Sequence, residues 1–268
     1  MNTLKNIGLA GMVVASVALA PAMMAQTIVL QETPYSSTFN SATAGEFEAQ
    51  VTGAASFTPP ISLANYSKLA QYGTGFETFC VEASVDFTPG TTYNLGLSLN
   101  VLGSVNPKSP IPLSVGAAYL YQQFALGTLA GYNYTSASTR LTDAGLLQAA
   151  LWYFEGGQSY SGFPSGGTGN QYYTDALNYV EGLGYGASEL TTAVTSEGEF
   201  GVEIMNLTAT SGGGAAQNQL VFLGGGSGLT DQDPPVPDGG ATLALLGLSL
   251  AGVAVFYRRF GGVRGDRR

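Results

Sequence analysis

The order of apolar and polar positions predicts strands at both ends of the chain's central part and helices between them. Short runs with alternating apolar residues predict early strands at residues 27–30, 45–52 and 76–81 and a further strand at 91–101. Two later runs, 199–207 and 217–223, alternate in the same way and are separated by a Gly-rich turn. Strands this short, with Gly, Ser and Thr between them, favour an antiparallel sheet over β-α-β units.

Between residues 112 and 183 the apolar positions change to helical spacing. A first helix is expected after Ser114, a residue suited to N-capping, and Gly131 can end it. A second helix is expected from about Asp143 to Glu155, closed by Gly156, and a third over 171–183. The predicted fold class is therefore α+β, an antiparallel β-barrel or sandwich with a helical insert at about 112–183.

The second predicted helix has a polar residue among its packing positions. Gln148 shares a face with Ala144, Leu147, Leu151 and Trp152, the only Trp of the chain. A carboxamide has donors and acceptors that must find partners once it is buried. Some other part of the fold is therefore expected to bind Gln148.

The only Cys lies in the run Phe79-Cys80-Val81-Glu82, inside a stretch that alternates from residue 79 to residue 87. Phe79 and Val81 fall on the apolar side, and Cys80 and Glu82 fall on the more polar side. A purely structural free Cys is expected among apolar neighbours. The position of Cys80 therefore favours a chemical role over a packing role.

The amino terminus predicts export. Residues 1–25 contain Lys5, an apolar run at 7–20 and small residues before a cleavage site after Ala22 or Ala25, the pattern of a signal peptide. An uncleaved membrane anchor is the alternative. In an oxidising compartment an unpaired thiol is intermolecular, reactive or buried.

The carboxyl terminus predicts a membrane segment. After a linker at 224–235, residues 241–257 are uncharged and mostly apolar, and at about 1.5 Å per residue they extend roughly 26 Å, near the lower limit for crossing a bilayer. Arg258 and Arg259 follow, which places the carboxyl terminus in the cytoplasm.

Composition excludes several functional classes. There is no His and one Cys, so catalytic triads, Cys-His pairs and ordinary structural zinc sites are excluded, and no metal or cofactor is predicted. No spacing singles out a pair of glycosidase carboxylates. Residues 6–257 contain three basic and seventeen acidic residues, so nucleic acid is not an expected partner.

The two unusual segments together resemble the thioester domains of bacterial surface adhesins. In that family a Cys after an aromatic residue bonds to the Gln of a Thr-Gln-x-Ala-apolar-Trp motif, and here Leu147-Gln148-Ala149-Ala150-Leu151-Trp152 matches it, with Leu147 in the place of Thr. The resemblance implies a thioester between Cys80 and Gln148 that reacts once with an amine or hydroxyl on another surface. Phe79, Trp152 and Tyr153 would shield it from water, and either Glu82 or the leaving amide nitrogen would accept the thiol proton.

The tail resembles the PEP-CTERM class of sorting signals, in its Val-Pro-Asp-Ser-Gly variant. The resemblance rests on Val236-Pro237-Asp238-Gly239-Gly240, in which Gly239 replaces Ser, on the apolar segment and on the Arg residues. It implies processing by an exosortase at the cell envelope. A simple tail anchor is the alternative.

Two hypotheses follow for residues 26–223, the predicted ectodomain. The first is covalent attachment, through the thioester, to a surface protein amine or a polysaccharide hydroxyl, which is not enzymatic turnover. The second is a non-covalent structural, matrix or carbohydrate-binding envelope protein whose Cys80 is inert. In both, the chain is exported and held in the membrane before residues 236–268 are processed.

Overall fold

The computed structural model describes residues 26–39, 42–52, 75–83, 85–102, 110–156, 164–196, 199–212 and 214–229. The predicted signal peptide and the predicted sorting segment lie outside these ranges. None of the helices within them is long and apolar enough to cross a membrane. The described elements are β1 (Gln26–Phe39), β2 (Ala42–Thr52), β3 (Phe76–Thr78), β4 (Thr92–Ser98), β5 (Asn100–Val101), β6 (Ile111–Pro112), α1 (Val115–Ala125), α2 (Ala137–Phe154), α3 (Gln171–Gly182), a 3₁₀ helix (Ala187–Thr191), β7 (Val202–Ala209) and β8 (Gln219–Phe222).

Six of these strands form one antiparallel sheet in the order β3-β2-β1-β4-β7-β8, and β5 pairs with β6 beside it. The two outer strands of this order then meet, because the chain just after β3 hydrogen-bonds to the start of β8. The closing bonds run from the Leu220 N–H to the Phe79 carbonyl (3.1 Å) and from the Val81 N–H to the Asn218 carbonyl (2.9 Å). The sheet is thus a nearly closed barrel, which confirms the predicted antiparallel architecture.

The three helices come from the predicted insert, and they pack against the barrel. Helix α2 packs on β1 and β2, whereas α1 packs on β7 and β8. Strands β3 and β8 and most of β7 are buried on both sides, and β7 is buried at Val202, Glu203, Ile204 and Met205 in succession. On β1, buried residues still alternate with more exposed ones, whereas on β3, β7 and β8 period-2 alternation does not separate core from solvent.

This double burial corrects the prediction for residues 79–87. Regular strand structure ends before Phe79, and both sides of the following segment are enclosed. Cys80 and Glu82 are as fully buried as Phe79 and Val81. The polar side of this segment therefore faces other protein groups, because the barrel closes at this point.

Helices α1 and α3 each begin after a residue whose side chain caps them. Ser114 caps α1 as predicted, since its Oγ accepts from the Ala117 N–H at 3.3 Å. Asn170 caps α3 in the same way. Helix α2 begins at Ala137, six residues earlier than the predicted Asp143. The hydrophobic pattern did not reveal this start, because the first turns of the helix are mostly polar and have no apolar period.

Glu155 joins the end of α2 to the start of α1. Its Oε1 accepts from the Ser114 N–H (2.9 Å) and from the Ser114 hydroxyl (2.7 Å) in a fully buried position. Burial raises the pKa of Glu155 to about 7, although the two hydrogen bonds from Ser114 act in the opposite direction. The carboxyl group therefore gains a proton on folding under mildly acidic conditions.

The Glu155→Gln variant is expected to change how stability depends on pH. Between pH 4.5 and about 7 the unfolded Glu155 ionises before the folded one, so wild-type stability falls as pH rises, by about 3 kcal/mol in total. The substituted amide cannot ionise and keeps an oxygen for Ser114. Urea unfolding of both proteins at pH 4 and pH 8 should show the variant gaining about 3 kcal/mol over wild type. Parallel pH profiles would contradict the raised pKa.

Candidate functional site

The Gln148 carboxamide, in the middle of α2, is bound by the main chain of Cys80. Gln148 Nε2 donates to the Cys80 carbonyl oxygen at 2.7 Å, and the Cys80 N–H donates to Gln148 Oε1 at 3.2 Å. Both residues are completely buried. The partner that the sequence requires for a buried Gln is therefore the peptide group of the only cysteine.

Strand geometry explains why the Cys80 main chain is free to bind this side chain. Cys80 lies opposite Gln219 of β8. The hydrogen bonds that close the barrel are made by the neighbours of these two residues, and not by Cys80 and Gln219 themselves. In such a non-hydrogen-bonded pair, the N–H and C=O of Cys80 point away from β8. On that other side, the pairing of β2 with β3 ends at Phe47 and Thr78. Gln148 takes the place that a further β2 residue would occupy.

The same arrangement brings the thiol to the carboxamide. Cys80 Sγ lies 3.1 Å from Gln148 Oε1. The sequence-predicted pair is thus in direct contact, although 68 residues separate the two along the chain. The Cys80 N–H and the sulfur converge on the same amide oxygen, so charge that develops on this oxygen would meet a fixed donor.

The electrostatic surroundings keep Cys80 as a thiol. Burial raises its pKa well above the ordinary range, and the negative charges of Asp86 and Glu82 raise it further. Hydrogen bonds from the Cys80 main chain and from the Trp152 side chain oppose this shift without cancelling it. The sulfur therefore carries its proton at neutral pH and is a poor nucleophile towards reagents in solution.

An apolar enclosure surrounds the sulfur. Cys80 packs in a cluster with Ala44, Phe47, Ala83 and Trp152, and Phe87 covers it by an edge-to-face contact with Phe47 at 4.9 Å between ring centroids. These side chains leave the Cys80–Gln148 contact without solvent exposure.

The other predicted supporting residues lie at different distances from this enclosure. Phe79 points to the main core and packs edge-to-face on Phe124 of α1, with ring centroids 4.9 Å apart. Tyr153 is 40% exposed and packs against Tyr173 of α3. Of the three aromatic residues expected to shield the sulfur, only Trp152 belongs to the cluster around it.

Glu82 has a hydrogen-bond partner of its own. Its Oε2 accepts from Asn218 Nδ2 at 2.9 Å, and its main-chain carbonyl accepts from Gln217 Nε2 at 3.1 Å. The carboxylate is thus held against the start of β8. This arrangement favours a structural task for Glu82 in fixing the segment that follows Cys80.

Sequence reasoning missed the amide run Gln217-Asn218-Gln219 as part of the site. Asn218 also accepts from the Leu207 N–H at 2.9 Å, so it links Glu82 to β7. Gln219 lies directly across from Cys80, and its Oε1 is buried without a hydrogen-bond partner. The sequence signal that could have revealed this run is three consecutive amide residues next to an apolar strand. Such residues are buried only where hydrogen-bond partners are present.

The Gln148→Leu variant is expected to hold Cys80 as a free but slowly reacting thiol, since no thioester can form and burial remains. Labelling with iodoacetamide at pH 8 should be about 100-fold slower than for Tyr153→Cys in a Cys80→Ala background, because that position is exposed. In guanidinium chloride both should label at similar rates. Equal rates in the native proteins would contradict the buried, raised-pKa thiol.

Comparison with known proteins identifies the carboxyl-terminal segment. A family model described as the VPDSG-CTERM motif matches residues 235–260. No curated protein and no solved structure matches the chain. The match covers the sorting motif predicted from residues 236–240 and from Arg258 and Arg259. The chain therefore carries a PEP-CTERM-type sorting signal, which supports an exported protein that is processed at the membrane of the cell envelope.

Proposed function

We propose that this protein is an exported surface protein that attaches covalently to a partner through a thioester between Cys80 and Gln148. The contact of 3.1 Å between Cys80 Sγ and Gln148 Oε1, inside an apolar enclosure, carries the proposal. The sorting signal supports it, because covalent attachment is useful at a surface that faces other cells or polymers.

The first step joins the thiol to the amide. Cys80 sulfur adds to the Gln148 carboxamide carbon, and the thiol proton passes to the amide nitrogen. The C–N bond then breaks, so ammonia is released and an acyl thioester is formed. The Cys80 N–H faces the oxygen on which negative charge develops, and the Cys80 carbonyl holds the amide plane. Such fixed contact corresponds to effective molarities on the order of 10⁵ M or more.

The amide nitrogen is the favoured acceptor of the thiol proton. The raised pKa of Cys80 keeps that proton on the sulfur until the reaction begins. Glu82, the other candidate acceptor, already accepts a hydrogen bond from Asn218. Direct transfer to the leaving nitrogen needs no other base, in keeping with a chain that contains no His.

The second step transfers the acyl group to the partner. An amine of a surface protein, or a hydroxyl of a polysaccharide, attacks the thioester carbonyl and forms an amide or an ester through Gln148. The C–S bond breaks and the thiol of Cys80 is restored. The acyl group is consumed, so each molecule reacts once and no catalytic turnover follows.

A non-covalent matrix or carbohydrate-binding role is the second candidate. A cleft of about 390 Å³ beside the end of α2 favours it, since the exposed ring of Tyr153 lines this cleft. Exposed aromatic rings suit the C–H faces of sugars. In this alternative, Cys80 is an inert buried thiol.

Intact-mass measurement of the purified full-length protein separates the two candidates. The measured mass of the wild type should be lower, by one ammonia, than the mass calculated from the sequence of the purified protein, and methylamine should add to it. Cys80→Ala and Gln148→Leu should each have the full calculated mass and should not react with methylamine. These two variants are matched controls, because each removes one partner of the same bond.

A wild type of full mass, with one thiol that titrates only after unfolding, would exclude the covalent proposal and favour the non-covalent one. A mass deficit that persists in Cys80→Ala would exclude this residue pair as its source.

A further inference from the structure

The apolar enclosure around Cys80 has one member that reaches the protein surface. Phe87 is half-buried, and its ring packs against the enclosure from the outside. The other enclosing side chains are at most 6% exposed, and they are Ala44, Phe47, Ala83 and Trp152. Of the described side chains around the sulfur, Phe87 is therefore the one that borders on solvent.

The main chain is held on both sides of Phe87. The Asp86 carbonyl accepts from the Gln217 N–H at 3.2 Å, and the Thr88 N–H donates to the Tyr93 hydroxyl at 2.7 Å. Residues 85–88 have no regular secondary structure, so no strand or helix packs the Phe87 ring into a fixed row of neighbours. The part of Phe87 that is free to move is therefore its side chain, by rotation to another rotamer.

A carboxylate lies beside this ring at the surface. Asp86 is exposed, whereas its neighbours Val85 and Phe87 are buried and half-buried. Burial and the negative charge of Asp86 both raise the pKa of the Cys80 thiol, so Asp86 is near enough to act on the sulfur.

No basic side chain in the described part of the chain offsets the charge of Asp86. Arg140 is the only Lys or Arg there, and its guanidinium is bound to Glu46 and Glu77. The surface next to Phe87 is therefore negative. Such a field raises the local concentration of cations and lowers that of anions.

We propose that Phe87 and Asp86 form the entrance to Cys80 and Gln148, in which the Phe87 ring turns aside to admit a reacting group and the Asp86 carboxylate favours cationic groups over anionic ones. The position of this entrance does not depend on thioester chemistry. Its meaning for the partner rests on the proposed function. In that case, the nucleophile that attacks the thioester lies among cationic groups of the partner and not on an anionic polymer.

Thiol labelling of the full-length Gln148→Leu protein in detergent tests the entrance where no thioester can form. Phe87→Ala, added to this variant, should speed labelling of Cys80 by iodoacetamide about tenfold or more, because the closed state loses the buried ring area. Tyr173→Ala is the matched control, since Tyr173 is also half-buried and packs on Phe154 of α2. It should label at the rate of Gln148→Leu. Equal rates for Phe87→Ala and Tyr173→Ala would overturn the entrance.

Urea separates an opened entrance from a destabilised fold. Labelling of Phe87→Ala through the entrance should change little with urea below the unfolding transition, since little surface is exposed when one ring turns. Labelling that requires global unfolding rises steeply with urea over the same range. A steep rise from the lowest urea concentrations would show that Phe87→Ala acts by unfolding the protein, and it would overturn the entrance.

Two methanethiosulfonate reagents of similar size, one with an ammonium group and one with a sulfonate group, test the role of Asp86. In Gln148→Leu the cationic reagent should be favoured, relative to the rates of both with free cysteine. Asp86→Asn should reduce this preference by about threefold to tenfold at low ionic strength. Glu181→Gln removes the same charge at an exposed position of α3 and should leave the preference unchanged. An unchanged preference in Asp86→Asn would overturn the role of Asp86.

Methylamine addition to proteins that keep Gln148 separates this inference from the proposed function. Phe87→Ala should speed the addition, and Tyr173→Ala should not. A wild type without an ammonia deficit would exclude the thioester, and the labelling rates would still decide whether the entrance exists. A thioester that reacts with methylamine equally fast in the wild type and in Phe87→Ala would overturn the entrance and leave the proposed function standing.

Discussion

The pairing between the Gln148 carboxamide and the Cys80 peptide group is the constraint on which the arrangement of this molecule depends. It is one of the points at which the helical insert is hydrogen-bonded to the barrel, and both residues are fully shielded from solvent there. A leucine at position 148 would leave a buried N–H and a buried C=O without partners, at a cost of about 1–3 kcal/mol for each. The interaction therefore helps to fix α2 against the segment that follows β3, whatever chemistry follows.

Closure of the barrel makes that pairing possible. The chain after β3 bonds to β8 on one side only, which leaves the Cys80 main chain open towards α2. The same closure buries the polar side of residues 79–83, so Glu82 must find a partner inside the protein and finds Asn218. One topological feature thus accounts for the open peptide group, the enclosed sulfur and the buried amide network.

Burial also explains the chemical character of the acidic groups. Glu77 and Glu155 have raised pKa values because water is excluded around them, and their neighbours compensate only in part. Glu46 has Arg140 close to it. The thiol of Cys80 follows the same rule, because burial raises its pKa and keeps the sulfur protonated at neutral pH.

The sequence by itself determined the antiparallel β class, the helical insert, the cap at Ser114 and the sorting motif, because these depend on local periodicity and short motifs. It also indicated, through resemblance to a family, that Cys80 and Gln148 belong together. Local pattern did not reveal the early start of α2 at Ala137, the burial of Glu82, or the role of the amide run at 217–219. Those features depend on which strands meet when the barrel closes and on what the helices cover, and both are decided by contacts between residues far apart in the chain.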